Sequence, residues 1–373
     1  MERFGDKVLC NPTVKLAKGQ EYHLVNIDKI NPNFKTVISD EFVEYTGQGG
    51  CKFEDHDVLM ARITPCLENG KMAIANTAGG KGIGSTELFV FRGIEGVSDS
   101  DYIYYLLRLP YMRQLAANSM TGASGRQRAD LGFIKRIPWV YPDINVQKRI
   151  VSVLSAYDDL IEVNRERINL LESAIENIYK EWFVRFRFPG YKETKKENGI
   201  PKGWEVKRVK ELVNRLSFGK LYKADDVQNE GTVIVIDQSM DEYVGFHSEE
   251  PSHIASLKDP IALFGDHSCK YQLMITPFSL SENVIPYKAK GDIKTSYLFY
   301  VLRGLVETTE YKRHWSEFVS KKVLIAPPDL QMRFVEKIEP MLELAQNIRI
   351  QNRNLVKQRD MLLPKLMSGK LVV

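Results

Sequence analysis

No stretch of this 373-residue chain approaches the roughly 20 consecutive apolar residues that a bilayer crossing requires, and its N-terminus does not read as a signal peptide. Cysteine is scarce. Cys10, Cys51, Cys66 and Cys269 are scattered, with no CxxC pair and no histidine cluster beside them. That usage fits free thiols in a reducing cytoplasm and argues against a structural zinc site. A large charge of one sign is also missing. The net charge of +4 permits nucleic-acid binding through local patches without demanding it.

Catalytic signatures are lacking as well. "GGKGIGST" (79–86) has glycines and hydroxyls but not the Lys-Ser/Thr ending of a phosphate loop, and its Gly84, Ser85 and Thr86 read as a turn feeding the next strand. The six histidines, His23, His56, His247, His253, His267 and His314, show no metal-ligand spacing. There is no GxSxG elbow. "PDINVQKR" has a faint likeness to an acidic nuclease motif, but Asp143 stands where a helix begins and reads better as its N-cap. The chain reads as a binder, without a catalytic group of its own.

What is present is repetition. Residues 101–108 read "DYIYYLLR" and residues 296–303 read "SYLFYVLR". After each comes an apolar run ending at Pro142 or Pro328, then Asp, then Gln147 or Gln331, then a long helical pattern. A period this long means duplicated domains, here about 1–190 and 191–373, rather than a solenoid. With 43% hydrophobic and 27% charged residues, each copy can bury a core of its own.

Each copy has a strand-rich front. "EYHLVNI", "DVLMARI", "KMAIAN" and "TELFVFR" in the first, and "TVIVID", "IALFG" and "ENVIPYK" in the second, are short apolar or alternating runs between Gly, Asn and Pro. The tyrosine phrase predicts a helix packing on each front. The back of each copy predicts a longer one. Ile161, Asn164, Ile168, Leu171, Ile175, Ile178 and Trp182 step by threes and fours, and Ile348, Gln351, Leu355, Gln358 and Leu362 follow with a more polar seam. Between them stand Glu162, Arg165, Glu166, Arg167, Glu172 and Glu176. A helix from Gln147 to Trp182 would be about 50 Å long, more than a small domain can cover, so the two copies' helices are expected to pair, with Asn164 and Gln351 at matching polar positions. "FRFPGYKETKKENGIPKGWEV" reads as a surface linker. The "GIPKGWEVKRVKEL" that opens the second copy has almost no counterpart before "KVLCN", so the first copy is expected to start abruptly.

Candidate binding residues lie in polar loops of the fronts. "TGASGRQRADLGFIKRI" holds Ser124, Arg126, Gln127, Arg128, Lys135 and Arg136, side chains suited to phosphates and base edges on a glycine-rich backbone. Ser320, Lys321 and Lys322 are taken as its counterpart in the second copy. "RITPCLENGKM" adds Asn69 and Lys71, matched by His267, Ser268 and Lys270 in "LFGDHSCKYQ".

The order strand-rich domain, "YIYYLLR…TGASGRQR…FIKRIPWVYP…QKRIVSVL", heptad helix ending "KEWFVRF", linker, "IPKGWEV", second domain and terminal "MLLPKLMSGKL" resembles the specificity (S) subunit of type I restriction–modification systems over nearly the whole chain. The resemblance implies an α+β fold: two target-recognition domains joined by two long antiparallel coiled-coil helices, with pseudo-twofold internal duplication. The expected segments are 1–146 (first target-recognition domain), 147–188 (central helix), 189–203 (linker), 204–329 (second target-recognition domain) and 330–373 (C-terminal helix). It further implies a non-catalytic, cytoplasmic subunit that reads a bipartite, asymmetric site on double-stranded DNA and serves DNA methylation and phage defence. Two methyltransferase (M) subunits and restriction (R) subunits would be its partners. No cofactor is expected on this chain; S-adenosylmethionine, ATP and magnesium would sit on those partners. The alternatives from the residues alone are a stand-alone nuclease or DNA-modifying enzyme, and a coiled-coil scaffold with no DNA role.

Overall fold

The computed structural model describes residues 1–122, 126–308, 310 and 312–373. Two long helices, Ile144–Tyr179 (the central helix) and Pro328–Met367 (the terminal helix), dominate the chain. The Asp143 carboxylate accepts hydrogen bonds from the Asn145 and Val146 amides, so it caps the central helix as its position predicts. Two compact units form, residues 1–164 with 351–373, and residues 165–350. Each unit therefore takes one end of both long helices, and the expected sequence segments do not coincide with the units.

In the first unit, Leu88–Gly93, Val58–Ala61 and Met72–Asn76 are the middle of a five-stranded sheet, with Val8–Cys10 and Thr36–Ile38 at its edges. The period of two sorts their side chains. Met60, Met72, Ile74, Phe89 and Phe91 face a helical layer that includes Tyr102, Tyr105, Leu154 and Leu363. Leu59, Ala61, Ala73, Ala75, Leu88 and Val90 face a second sheet through Val25 and Phe53. Both faces are covered, which is why these strands read as unbroken apolar runs. The second sheet runs Phe42–Glu44, Glu21–Val25, Lys81–Gly84, Cys51–Glu54. The glycines of "GGKGIGST" thus belong partly to a strand, and a Cβ at Gly82 would lie 2.1 Å from the Phe53 ring.

The second unit repeats the plan with fewer strands. Val213–Arg215, Val284–Ala289, Ile261–Gly265 and Tyr271–Met274 form the inner sheet. Ala262, Phe264 and Tyr287 face the helical layer, while Ile261, Leu263 and Val284 pack on the outer sheet's Ile234, Phe278 and Leu280. The tyrosine phrases are helices Ser100–Arg108 and Thr295–Leu302, packed with the helical layers. A buried glutamine ties each phrase to its long helix. Gln147 accepts from the Asp99 amide (3.0 Å) and donates to the Val97 and Pro142 carbonyls. Gln331 accepts from the Lys294 amide (3.3 Å) and donates to the Ala326 carbonyl (2.8 Å).

The expectation of an abrupt start is corrected. Glu2–Arg3, the short helix Phe4–Lys7 and Val8–Cys10 correspond to Glu205–Arg208, Val209–Leu212 and Val213–Arg215. The first pairs with Pro138–Trp139 and the other with Lys322–Ile325, so the same corner is built in both units from different residues. The linker is also more ordered than its composition suggests. Lys196–Glu197 and Ile200–Pro201 form a two-stranded ribbon whose turn places Asn198 (φ 52°) and Gly199 (φ 82°) in the left-handed region, the Asn-Gly hairpin preference. Among the described residues, no helix is long and apolar enough to cross a membrane.

Candidate nucleic-acid interface

In the first unit three loops converge at one end of the inner sheet. The Thr64 amide donates to the Gln127 carbonyl (3.0 Å), and the Gln127 amide donates back to Thr64 Oγ1 (3.2 Å). The Ala129 amide donates to the Arg62 carbonyl, and the Arg62 amide to the Glu87 carbonyl. Arg128 closes the set with a two-pronged ion pair to Glu87, its Nε 2.9 Å and Nη2 2.5 Å from the carboxylate oxygens. This hydrogen bonding holds the Glu87 carboxyl below the usual glutamate value. Arg62 lies over the Phe89 ring at 4.8 Å. The "RITPCLENGKM" loop and residues 126–129 are therefore one surface, framed by residues 85–87 between two strands.

Within that surface the expected residues divide by role. Asn69 and Arg126 are exposed. Arg128 is occupied by Glu87, and Gln127 is anchored through its backbone. The Lys71 ammonium donates to the Ile27 carbonyl (3.1 Å), so it ties down a neighbouring loop. Ser124 lies outside the described residues. Glu87 and Thr64, which brace the loops, carry no local sequence signal, because their partners lie 41 and 63 residues away.

The second unit builds the equivalent end from the loop joining Ile261–Gly265 to Tyr271–Met274, the segment after Val233–Ile236, and the approach to helix Trp315–Ser320. His267 is half-buried; its amide faces Gln238 Oε1 (3.3 Å), and its carbonyl accepts from Thr308 Oγ1 (3.5 Å). Asp266 Oδ1 accepts from the His314 and Trp315 amides and so caps that helix from another loop. In the first unit Asp130 caps helix Leu131–Arg136 locally. Two expectations are corrected here. Lys270 is buried, its ammonium donating to the Asp237 (3.2 Å) and Asp241 (2.5 Å) carbonyls, and burial pushes it below the usual lysine value. Its charge organises a loop instead of facing solvent, with Ser268 Oγ accepting its amide. Ser320, Lys321 and Lys322 end helix Trp315–Ser320 and begin strand Lys322–Ile325, so they match Arg136–Pro138 rather than "TGASGRQR". The counterpart of that loop in chain order precedes helix Trp315–Ser320, where Lys312 and Arg313 are exposed. Ser320 Oγ donates to the Glu317 carbonyl, Lys321 pairs with Glu317 (3.1 Å), and Lys322 is exposed.

The first loop set offers an exposed amide (Asn69) and guanidinium (Arg126) and the second an exposed ammonium (Lys312) and guanidinium (Arg313), groups suited to phosphate and base-edge contact. Among the described residues, no group of three or more His, Cys, Asp or Glu could hold a metal ion. Residues 10–173 match the family model described as the type I restriction modification DNA specificity domain. The chain is similar to type I restriction enzyme specificity subunits. It is 28% identical over 306 residues to the type I restriction enzyme MjaIX specificity subunit of Methanocaldococcus jannaschii, covering 74% of this chain and 69% of that one. It is 32% identical over 149 residues to the EcoEI specificity subunit of Escherichia coli, covering 39% and 25%. Among solved structures, the type I restriction–modification S subunit from M. genitalium has the same fold, with a TM-score of 0.53 at 14% identity over 98% of this chain and 95% of that one.

Within each unit the two long helices run antiparallel. In the first unit Asn164 is buried and its Nδ2 donates to Gln351 Oε1 (3.1 Å) and Asn352 Oδ1 (2.9 Å). Asn352 Nδ2 donates to the Ile161 carbonyl (3.3 Å). Asp158, buried, pairs with buried Arg359, and the Tyr105 hydroxyl donates to Asp158 Oδ2 (2.5 Å). In the second unit Glu172 pairs with Arg349, and Tyr179, Trp182 and Phe183 pack on Phe334. Ile161, Ile175 and Ile348 are buried, whereas Ile168, Leu171, Leu355 and Leu362 are half-buried. The expected seam of the terminal helix is corrected in phase. Ile348 is buried and Gln351 meets Asn164 as expected, but Gln358 is exposed, and the buried positions beyond it are Arg359, Leu363 and Leu366. An arginine in the seam hides its phase from any reading based on apolar spacing.

Proposed function

We propose that this chain is the DNA-reading subunit of a type I restriction–modification complex. Each front would dock on one half of a split, asymmetric target, and the paired helices would set the gap between the halves. The observation that carries this is the duplicated loop end. The same structural place in both units presents a polar surface on a braced backbone, yet the exposed residues differ: Asn69 and Arg126 in one, Lys312 and Arg313 in the other. Two unlike readers on one repeated scaffold suit a target with two unlike halves. The chain itself would be non-catalytic. It would scaffold two methyltransferase subunits, which bring S-adenosylmethionine, and restriction subunits, which bring ATP and magnesium. Charged residues on the outer helix faces, such as Glu166 and Arg167, suit such docking.

Methylation-aware sequencing of host DNA, with and without this gene, tests the reading. Methyl marks at one split, asymmetric motif should vanish when the gene is removed. Loss of no motif, or of an unsplit one, would overturn it. The purified chain alone should neither cleave DNA nor transfer methyl groups, and either activity would favour a stand-alone enzyme.

A further inference from the structure

The two long helices carry the same pattern, and aligning Gln147 on Gln331 shows where they differ. Leu154 falls on Ile338 and Ile161 on Ala345, all buried. Asp158, however, falls on Leu342, Asn164 on Ile348, Ile168 on Asn352 and Ile175 on Arg359. In the first unit the polar members meet one another: Asp158 with Arg359, and Asn164 with Asn352. In the second unit the equivalent places hold hydrocarbon, with Ile175 fully buried and Leu342 in the same apolar cluster beside Tyr300.

We propose that this uneven seam makes the central helix select the terminal helix and reject a second copy of itself. Two central helices paired in the same antiparallel register would set Asp158 against Ile175 and Asn164 against Ile168, at both ends at once. Two terminal helices would set Arg359 against Leu342 and Asn352 against Ile348. Either arrangement buries a charge without its counter-charge and an amide without its partner, whereas the mixed pair matches every polar group. A polar seam position that enforces one partner is a known property of paired helices. Here the partner fitting the central helix is one that places an arginine opposite Asp158 and an amide opposite Asn164. On the reading proposed above, the consequence is that two unlike fronts stay together and the target stays asymmetric.

The test reads association and not DNA, so its outcome is separable from that reading. A protease site is placed in the exposed Asn198–Gly199 turn of the full-length chain, and two preparations carry different N-terminal tags. Both are cut after folding, mixed, passed through partial unfolding in urea and returned to native conditions. Co-capture of the two tags counts like-with-like pairs of N-terminal fragments. These should be roughly tenfold or more rarer than re-formed unlike pairs. Like pairs as frequent as unlike ones, or a cut chain that does not stay paired, would overturn the proposal. A second measurement uses the chain carrying Asp158→Leu, Asn164→Ile, Asn352→Ile and Arg359→Ile, first shown to unfold cooperatively. Its like pairs should rise toward the statistical proportion. An unchanged ratio would show that the polar set does not choose the partner.

Discussion

Asp158 and Arg359, separated by 201 residues in sequence, form a buried ion pair in the first unit, with the Tyr105 hydroxyl on the second carboxylate oxygen. Burial alone would lower the arginine's proton affinity, but the carboxylates of Asp158 and Asp360 outweigh it and raise the pKa above the usual value. Replacing one member leaves a charge without a counter-charge away from water. Arg359→Leu should therefore cost about 3–5 kcal/mol, whereas Asp158→Leu with Arg359→Ile, the residues found at the equivalent places of the second copy, should recover most of it. Urea midpoints of the two variants against the parent chain measure the difference.

Acid should weaken the second unit through its buried histidines. His247 stacks on Tyr222 (ring centroids 4.0 Å), lies 2.8 Å from Ser279 Oγ and accepts the Glu249 amide; His253 stacks on Phe278 and donates to the Phe218 carbonyl. Burial pushes both below the ordinary histidine value of 6.5, with Glu249 opposing at His247 and the Phe218 carbonyl at His253. The fold thus prefers the neutral rings. Their contribution is fully present above the unfolded value and is lost as pH falls through the depressed folded values. Unfolding followed by hydrogen exchange should show strands Val233–Ile236 and Gly245–His247 losing protection at pH 5 relative to pH 7.5. Equal protection at both would count against it.

Surface and structural cations should separate cleanly. Arg126→Ala removes an exposed guanidinium and should lower DNA affinity while reducing the salt slope by about 1, with the urea midpoint unchanged. Lys270→Ala should instead lower the midpoint, because the Asp237 and Asp241 carbonyls lose their donor. A Lys270 variant as stable as its parent, with a reduced salt slope, would return that residue to the DNA surface.

The central helix, 36 residues long, spans about 54 Å at about 1.5 Å per residue. If the helices set the gap between half-sites, inserting one heptad between Leu171 and Ile175, with a matching heptad opposite it between Leu342 and Gln346, lengthens both by about 10 Å. Sites recovered from methylated DNA should keep both half-sites and gain roughly 3 base pairs of unspecified spacer, at about 3.4 Å each. Recovery of the original spacing would show that the helices do not act as the ruler.

Local periodicity by itself determined much of this molecule. The runs "VLMA" and "IALFG" had to be strands with both faces covered, the three-four rhythm after Gln147 had to be a long helix, and Asp143 had to cap it, because each follows from backbone geometry over a few residues. The repeated tyrosine phrase likewise exposed the duplication. Tertiary structure alone decided what charged side chains do. Arg128 looked like a free cation until Glu87, 41 residues away, met it. Lys270 looked like a surface lysine until two distant carbonyls enclosed it, and Arg359, which the apolar spacing passes over, is buried because Asp158 makes its burial tolerable. A charge has no preferred face of its own. Its placement depends on whether a counter-charge or acceptor is brought within reach, and that is settled only when segments far apart in sequence pack together.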